Sequence, residues 1–271
     1  MTYVIVGAGP SGVVAAETLR KADPSLDVVL IGDEPEPPYS RMAIPYYLTG
    51  KIDEAGTYLR KTEGHYDTKG IQYREGRVAS IDADMGKVGL EDGSSQDYSK
   101  LLICTGSSPI KPPVEGLDSP GVHHCWTLED ARQIIGLADE GSDVVLIGAG
   151  FIACIILEAL VERGVNLTVV EMEDRMLTRM MDETGGEMIK RWCGNKGVTV
   201  QTGVRVNKVR YNDDVSKGRL AVGLDNGSEL PAHLVVVAAG VARVLREQLL
   251  DRAQPPAVVD ALLVCLRPRQ L

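Results

Sequence analysis

The residues with the clearest chemical purpose are three glycines and two acids near the amino terminus. "YVIVGAGPSG" at 3–12 places Gly7, Gly9 and Gly12 in a GxGxxG spacing directly after an apolar run. In that spacing the first glycine allows a tight turn. The second lets a pyrophosphate approach the backbone, and the third lets a helix pack against the strand. The pattern predicts a strand over 3–6 and a helix from Ser11 to Arg20, whose first amides and dipole face phosphate oxygens. Asp33 and Glu34 follow about 20 residues on, where an acid accepts hydrogen bonds from an adenosine ribose. The plainer alternative is a tight strand–helix turn with no ligand.

The elements that carry these residues occur twice. "YVIVGAGPSG" returns as "VVLIGAGFIA" at 144–153, offset by 141 residues. "DVVLIGDE" at 27–34 is echoed by "NLTVVE" at 166–171, and "LLICTG" at 101–106 by "VVVAAG" at 235–240. Each copy thus runs strand and glycine turn, strand and acid, strand and small residue with glycine. Apolar runs of four or five residues read as buried parallel strands. In the second copy Gly148 and Gly150 keep their places and Ala153 takes the third, which the pattern tolerates. A helix is expected over 152–163. Glu171 ends the next strand, where a carboxylate accepts from a free 2′-hydroxyl and repels a 2′-phosphate, so this copy is expected to prefer NADH to NADPH. Arg175 stands close enough to blur that preference. Surface acids at strand ends are the alternative for Glu34 and Glu171.

Composition bounds the rest. The 271 residues suffice for one large or two ordinary domains, and 44% are hydrophobic and 25% charged, as in a globular protein. Aromatics are 4% with a single Phe, so the core is expected to be aliphatic. A net charge of −9 opposes nucleic-acid binding and docking on anionic lipid. No apolar run is long enough to span a membrane, and with strand-like sequence at the very start no signal peptide is expected. Cys104, Cys125, Cys154, Cys193 and Cys265 form no CxxC pair, which fits a reducing, cytoplasmic setting and no metal site. His123 and His124 are adjacent, so their side chains point apart, and a linker role is expected.

The duplicated pattern resembles the pyridine nucleotide-disulphide oxidoreductase superfamily, flavoproteins with two dinucleotide-binding domains, over about residues 1–242. The resemblance implies an α/β fold with two Rossmann-like domains, the second inserted in the first (an FAD/NAD(P)-binding fold). It implies an FAD-binding domain over 1–112, an NAD(H)-binding domain over 113–240 and an atypical tail over 241–271. By the same resemblance Gly7, Gly9, Pro10, Ser11 and Gly12 hold the FAD pyrophosphate, and Asp33 or Glu34 its ribose. Val78 meets the adenine through its backbone, and Thr105 and Gly106 form the turn that passes the flavin. Gly148, Gly150, Phe151, Ile152, Glu171 and Gly240 line the NADH site.

"GDEPEPPYSRMAIPYYLTG" at 32–50 is similar to the rubredoxin and ferredoxin reductases, nitrite reductase flavin domains, coenzyme A disulfide reductases and apoptosis-inducing factor. That likeness puts Arg41 near the FAD phosphates; a surface arginine after a proline-rich turn is the alternative. In the disulfide reductases and NADH oxidases a redox cysteine stands where this chain has Met42. A thioether cannot ionise to a nucleophile, so disulfide and peroxide chemistry are disfavoured. The ferredoxin-reductase members carry a lysine near the place of Tyr46, which this chain lacks. What remains is an FAD-dependent oxidoreductase passing electrons from NADH through FAD to a small molecule or a rubredoxin- or ferredoxin-like protein. No catalytic acid, base or nucleophile is assigned, because the cofactors carry the chemistry.

After Val241 the family pattern stops. The chain reads "ARVLREQLLDRAQPPAVVDALLVCLRPRQL", with no glycine after 240 and only arginine as its basic residue from 243 onward. A helix over 243–253, a Pro-Pro break and an amphipathic end are one expectation; a disrupted reading frame, with the carboxyl-terminal part of the FAD domain missing, is the favoured one. A chain so ended is expected to bind FAD weakly or not at all and to be monomeric or aggregated. The competing class is therefore a truncated, non-catalytic nucleotide-binding pseudoenzyme.

Overall fold

A computed structural model describes residues 1–211 and 219–243; the helix and Pro-Pro break expected after 243 lie outside the described residues. The elements run β1 (Thr2–Val6), α1 (Pro10–Ala22), β2 (Asp27–Gly32), α2 (Ile44–Leu48), α3 (His65–Thr68) and β3 (Ile71–Glu75). Then come β4 (Val78–Asp82), β5 (Lys87–Leu90), β6 (Ser95–Asp97), β7 (Lys100–Ile103), β8 (Ser107–Pro109) and β9 (Val122–His123). The second half holds α4 (Leu128–Leu137), β10 (Asp143–Ile147), α5 (Phe151–Glu162), β11 (Asn166–Glu171), α6 (Glu183–Asn195) and β12 (Thr199–Thr202). It ends with β13 (Val206–Tyr211), β14 (Leu220–Leu224), β15 (Glu229–Ala232), β16 (Leu234–Val237) and β17 (Val241–Arg243). The fold is α/β, and the chain forms two compact units. One contains 1–40 and 58–108; the other contains 41–57 and 109–242.

In the first unit the apolar runs pair in parallel in the order β3-β2-β1-β7. Ile5 faces Leu30 and Leu102, so the strands enter in the same register from both sides. Alternation then divides the sheet into two buried faces, as a parallel sheet requires. Ile5, Val28, Leu30 and Ile71 pack under Val13 and Ala16 of α1. Val4, Val6, Val29 and Ile31 pack against Val88 and Val78 of a three-stranded antiparallel sheet, β4-β5-β6. Each such fully buried Val or Leu stabilises the unit by about 1.5–3 kcal/mol.

The second unit repeats this plan with a five-stranded sheet, β12-β11-β10-β16-β9, and an antiparallel β13-β14-β15. Val145, Ile147, Val170, Val235 and Val237 meet Val206, Val209, Leu220, Val222 and Leu224. Its α4 is sealed by a capping box, Thr127 accepting from the Asp130 amide and Asp130 accepting from that of Thr127. Tyr39 is the only buried Phe, Tyr or Trp among the described residues, so the expected aliphatic core is present.

The segment 41–57 is fastened to this second unit by side chains. Arg163 donates to the carbonyls of Leu48, Ile135 and Ala138, at 2.8, 2.8 and 2.9 Å. Arg132 forms a fork on the two Glu54 oxygens at 2.8 and 2.9 Å. His123, expected in a linker, lies in edge strand β9 opposite Val236, and burial lowers its imidazole pKa.

Candidate functional site

The first glycine turn is fixed by close backbone approaches. Gly7 donates to the Ile31 carbonyl at 2.8 Å and has φ +107°, a region that favours glycine. A Cβ there would overlap the Cys104 carbonyl and lie 2.9 Å from the Thr105 nitrogen, so the turn holding Thr105 and Gly106 sits directly against Gly7. A Cβ on Gly12 would overlap the Gly7 carbonyl oxygen, which is the close helix–strand packing expected of the third glycine. Gly9 differs: a Cβ there would meet nothing within 4 Å, so its face is open to an approaching group.

Gly9 is also the N-cap of α1, with Pro10 next, no side-chain cap and no acid in the first turn. The amides after Pro10 therefore keep their capacity to bind an anion, and the helix dipole adds to it. Gly12 is buried, while Pro10 and Ser11 are exposed. Asp33 is exposed just past β2, and Glu34 accepts a hydrogen bond from the Tyr39 hydroxyl. Val78 begins β4 opposite Leu90 and packs on the Val4–Val6 face of the sheet.

The second turn has the same construction. Gly148 donates to Val170 at 2.8 Å and has φ +102°. A Cβ on it would lie 2.6 Å from the Ala238 carbonyl, in the strand-end turn that also holds Gly240 with φ +123°. Ala153 is 1% exposed at the third position. Gly150 has nothing within 4 Å of a Cβ and caps α5 without a side-chain partner or a first-turn acid. Phe151 is exposed and Ile152 half-buried at the start of that helix. The contrast with α4 and α6, capped by Thr127 and Asp182, shows that bare ends are confined to the two glycine turns among these four long helices.

Glu171 is 9% exposed, and each carboxylate oxygen already accepts one backbone amide. Oε2 takes Ala149 N–H at 2.6 Å, which ties the strand end to the glycine turn, and Oε1 takes Glu173 N–H at 2.9 Å. A carboxylate oxygen has a second lone pair, so both can still accept from a ligand hydroxyl. The Arg175 guanidinium is paired with Asp174 at 2.9 Å.

Arg41 lies in the second unit. Its guanidinium donates to the Trp126 carbonyl at 2.6 Å and stands 5.2 Å over the Trp126 ring. Met42 is 68% exposed and Tyr46 56%. Burial pushes all four described thiols up, Cys125 to about 12 and Cys154 to about 11, so none is a ready thiolate. Among the described residues no group of three His, Cys, Asp or Glu could hold a metal ion, and no helix is long and apolar enough to cross a membrane.

Two bare helix ends, each behind a glycine with open space above it, fit a dinucleotide pyrophosphate. The model for pyridine nucleotide-disulphide oxidoreductases matches residues 1–254. The chain belongs to this family. Within it, the chain is 32% identical over 240 residues to the NADH-dependent phenylglyoxylate dehydrogenase subunit epsilon of Aromatoleum evansii, covering 88% of this chain and 56% of that one. It is 33% identical over 241 residues to the probable ferredoxin reductase CtmF of Castellaniella defragrans, covering 88% and 58%. The structure of the covalent putidaredoxin reductase–putidaredoxin complex superposes with a TM-score of 0.82 at 28% identity, covering 89% of this chain and 58% of that one. The chain thus spans about half the length of the curated relatives it matches.

Sequence reasoning passed over three features. Glu171 braces its turn through the Ala149 amide. Glu17 is held by Arg60 at 2.5 Å and by His65 at 2.7 Å. Tyr73 lies over Gly32. Only the last had a signal in the sequence: a glycine in copy one where copy two has Glu171.

Proposed function

We propose that this chain is the dinucleotide-binding part of an FAD-dependent NADH oxidoreductase that delivers electrons to a rubredoxin- or ferredoxin-like protein or a small acceptor. The observation that carries the reading is the pair of glycine turns in one register, each facing a bare helix end. FAD, when bound, supplies a hydride acceptor that can pass electrons onward. Everything else falls to residues that bind and orient. Amides after Gly9 and Gly150 neutralise pyrophosphate charge without a lysine or arginine. Asp33 or Glu34 receives the FAD ribose, with Val78 and the turn at Thr105–Gly106 along the same cofactor. Phe151, Ile152 and Gly240 flank the nicotinamide dinucleotide.

Glu171 turns the second site toward NADH. Its anchored carboxylate accepts from a 2′-hydroxyl and repels a 2′-phosphate, and Arg175, paired with Asp174, is diverted from a phosphate. The relatives' names support an electron-transfer role, one being an NADH-dependent dehydrogenase subunit and another a probable ferredoxin reductase. Met42 and the raised thiols favour a plain flavin relay over disulfide exchange. A cytoplasmic setting accords with four free described cysteines.

The test is a visible spectrum of the purified chain supplied with FAD and freed of excess, recorded anaerobically before and after NADH. A retained flavin band that bleaches supports the reading. A retained band that NADH leaves unchanged contradicts the redox function, and no retained band means that the chain keeps the family's signature without its redox function.

A further inference from the structure

Gly32 and Glu171 end equivalent strands. Val6 faces Ile31 as Ile147 faces Val170, and the next residue is Gly32 in one copy and Glu171 in the other. The neighbouring strands carry the converse exchange. Val200 of β12 lies opposite Val169, and Tyr73 of β3 lies opposite the equivalent Leu30. A Cβ on Gly32 would lie 2.6 Å from the Tyr73 hydroxyl and 2.8 Å from the Ala8 Cβ. Ala8 corresponds to Ala149, whose amide Glu171 holds. An acid beside a short valine in one copy is therefore replaced by a glycine under a tyrosine in the other, and the Tyr73 hydroxyl stands where a side chain on Gly32 would begin.

The geometry points to Tyr73 as a ligand-binding residue of the first turn, its hydroxyl facing the adenosine end of the dinucleotide where the second turn uses Glu171. This rests on the reading that the first turn binds FAD. The phenol is half-buried and stacks on Tyr66 with ring centroids 6.0 Å apart, which fixes its direction before any ligand arrives. The chemistry differs from that of a carboxylate. A hydroxyl both donates and accepts, whereas a carboxylate only accepts. Burial, then the nearby Glu75, Tyr66, Asp33 and Glu34, push its pKa to about 12, so it stays neutral at working pH. The first site thus gains a donor for adenosine nitrogen or ribose oxygen, with Asp33 and Glu34 close by as acceptors.

The experiment titrates the full chain and Tyr73→Phe with FAD and, separately, with NADH, with urea midpoints for both proteins. The expected result is an FAD Kd raised about three- to tenfold, as for one lost hydrogen bond, with NADH affinity and urea midpoint unchanged. A second comparison sets Tyr73→Val against the double variant Gly32→Glu/Tyr73→Val, which transplants the second copy's arrangement. The double variant is expected to bind FAD more tightly than Tyr73→Val. Equal FAD affinity for Tyr73→Phe and the unaltered chain overturns the role of Tyr73 and leaves the flavin reading intact. Equal affinity for the two valine variants also overturns it. Failure of the unaltered chain to bind FAD removes both.

Discussion

The carboxylate of Glu171 holds the backbone amide of Ala149 at 2.6 Å, joining the end of β11 to the glycine turn after β10. One side chain thus shapes the turn, and the proposed function gives the same side chain to a ribose. Glu171→Ala leaves the buried Ala149 amide without that acceptor, which costs about 1–3 kcal/mol. The expected outcome is a lower urea midpoint together with an NADH Kd raised at least about tenfold. Fluorescence titration alongside urea unfolding checks both; unchanged NADH affinity would remove Glu171 from the site.

The glycines of the first turn are expected to separate by role. A Cβ on Gly12 would overlap the Gly7 carbonyl, whereas a Cβ on Gly9 would meet nothing. Gly12→Ala should therefore destabilise the first unit, by about 1–3 kcal/mol for overpacking. Gly9→Val should leave the melting temperature nearly unchanged and weaken FAD binding, because its side chain fills the ligand's approach. Thermal unfolding paired with FAD titration distinguishes the two, and equal loss of stability in both variants would contradict the open face at Gly9.

Acid stability should carry the mark of Glu17. Its hydrogen bond to Arg60, opposed by desolvation and aided by His65, lowers its pKa from 4.5 to about 2. A depressed carboxyl stabilises the folded state above the unfolded pKa and loses that contribution as pH falls through the folded one. The window therefore runs from about pH 4.5 down to about pH 2. Partial exposure of the group reduces the contribution to about 1–2 kcal/mol. Urea unfolding of the protein and of Glu17→Gln should differ at pH 6 and converge as pH falls to 2. A constant difference would contradict the assignment.

The described thiols should be slow. Cys104, Cys125, Cys154 and Cys193 are each shifted away from the thiolate by burial. Iodoacetamide labelling at neutral pH, mapped by mass spectrometry, is expected to proceed far more slowly at these four positions in the native protein than in urea. Rapid native labelling at any one of them would reopen the disulfide chemistry that Met42 disfavours.

The parallel strands and both glycine turns were legible because they are local: short apolar runs followed by glycines whose spacing is itself the geometry. Other features depend on partners far away in sequence. The place of 41–57 in the second unit is set by Arg132 and Arg163 reaching back to Glu54 and Leu48, which no periodicity reveals. The antiparallel sheets β4-β5-β6 and β13-β14-β15 lie in short, weakly alternating strands that give little signal. Tyr73 looks like ordinary strand sequence until its hydroxyl is placed beside Gly32.

Two separate dinucleotide sites are the centre of this account, and binding stoichiometry tests them most directly. Isothermal titration of the chain with FAD, then with NADH in the presence of saturating FAD, should give one weakly held FAD and one NADH per chain with no competition. Competition for a single site, or binding of neither, would contradict it.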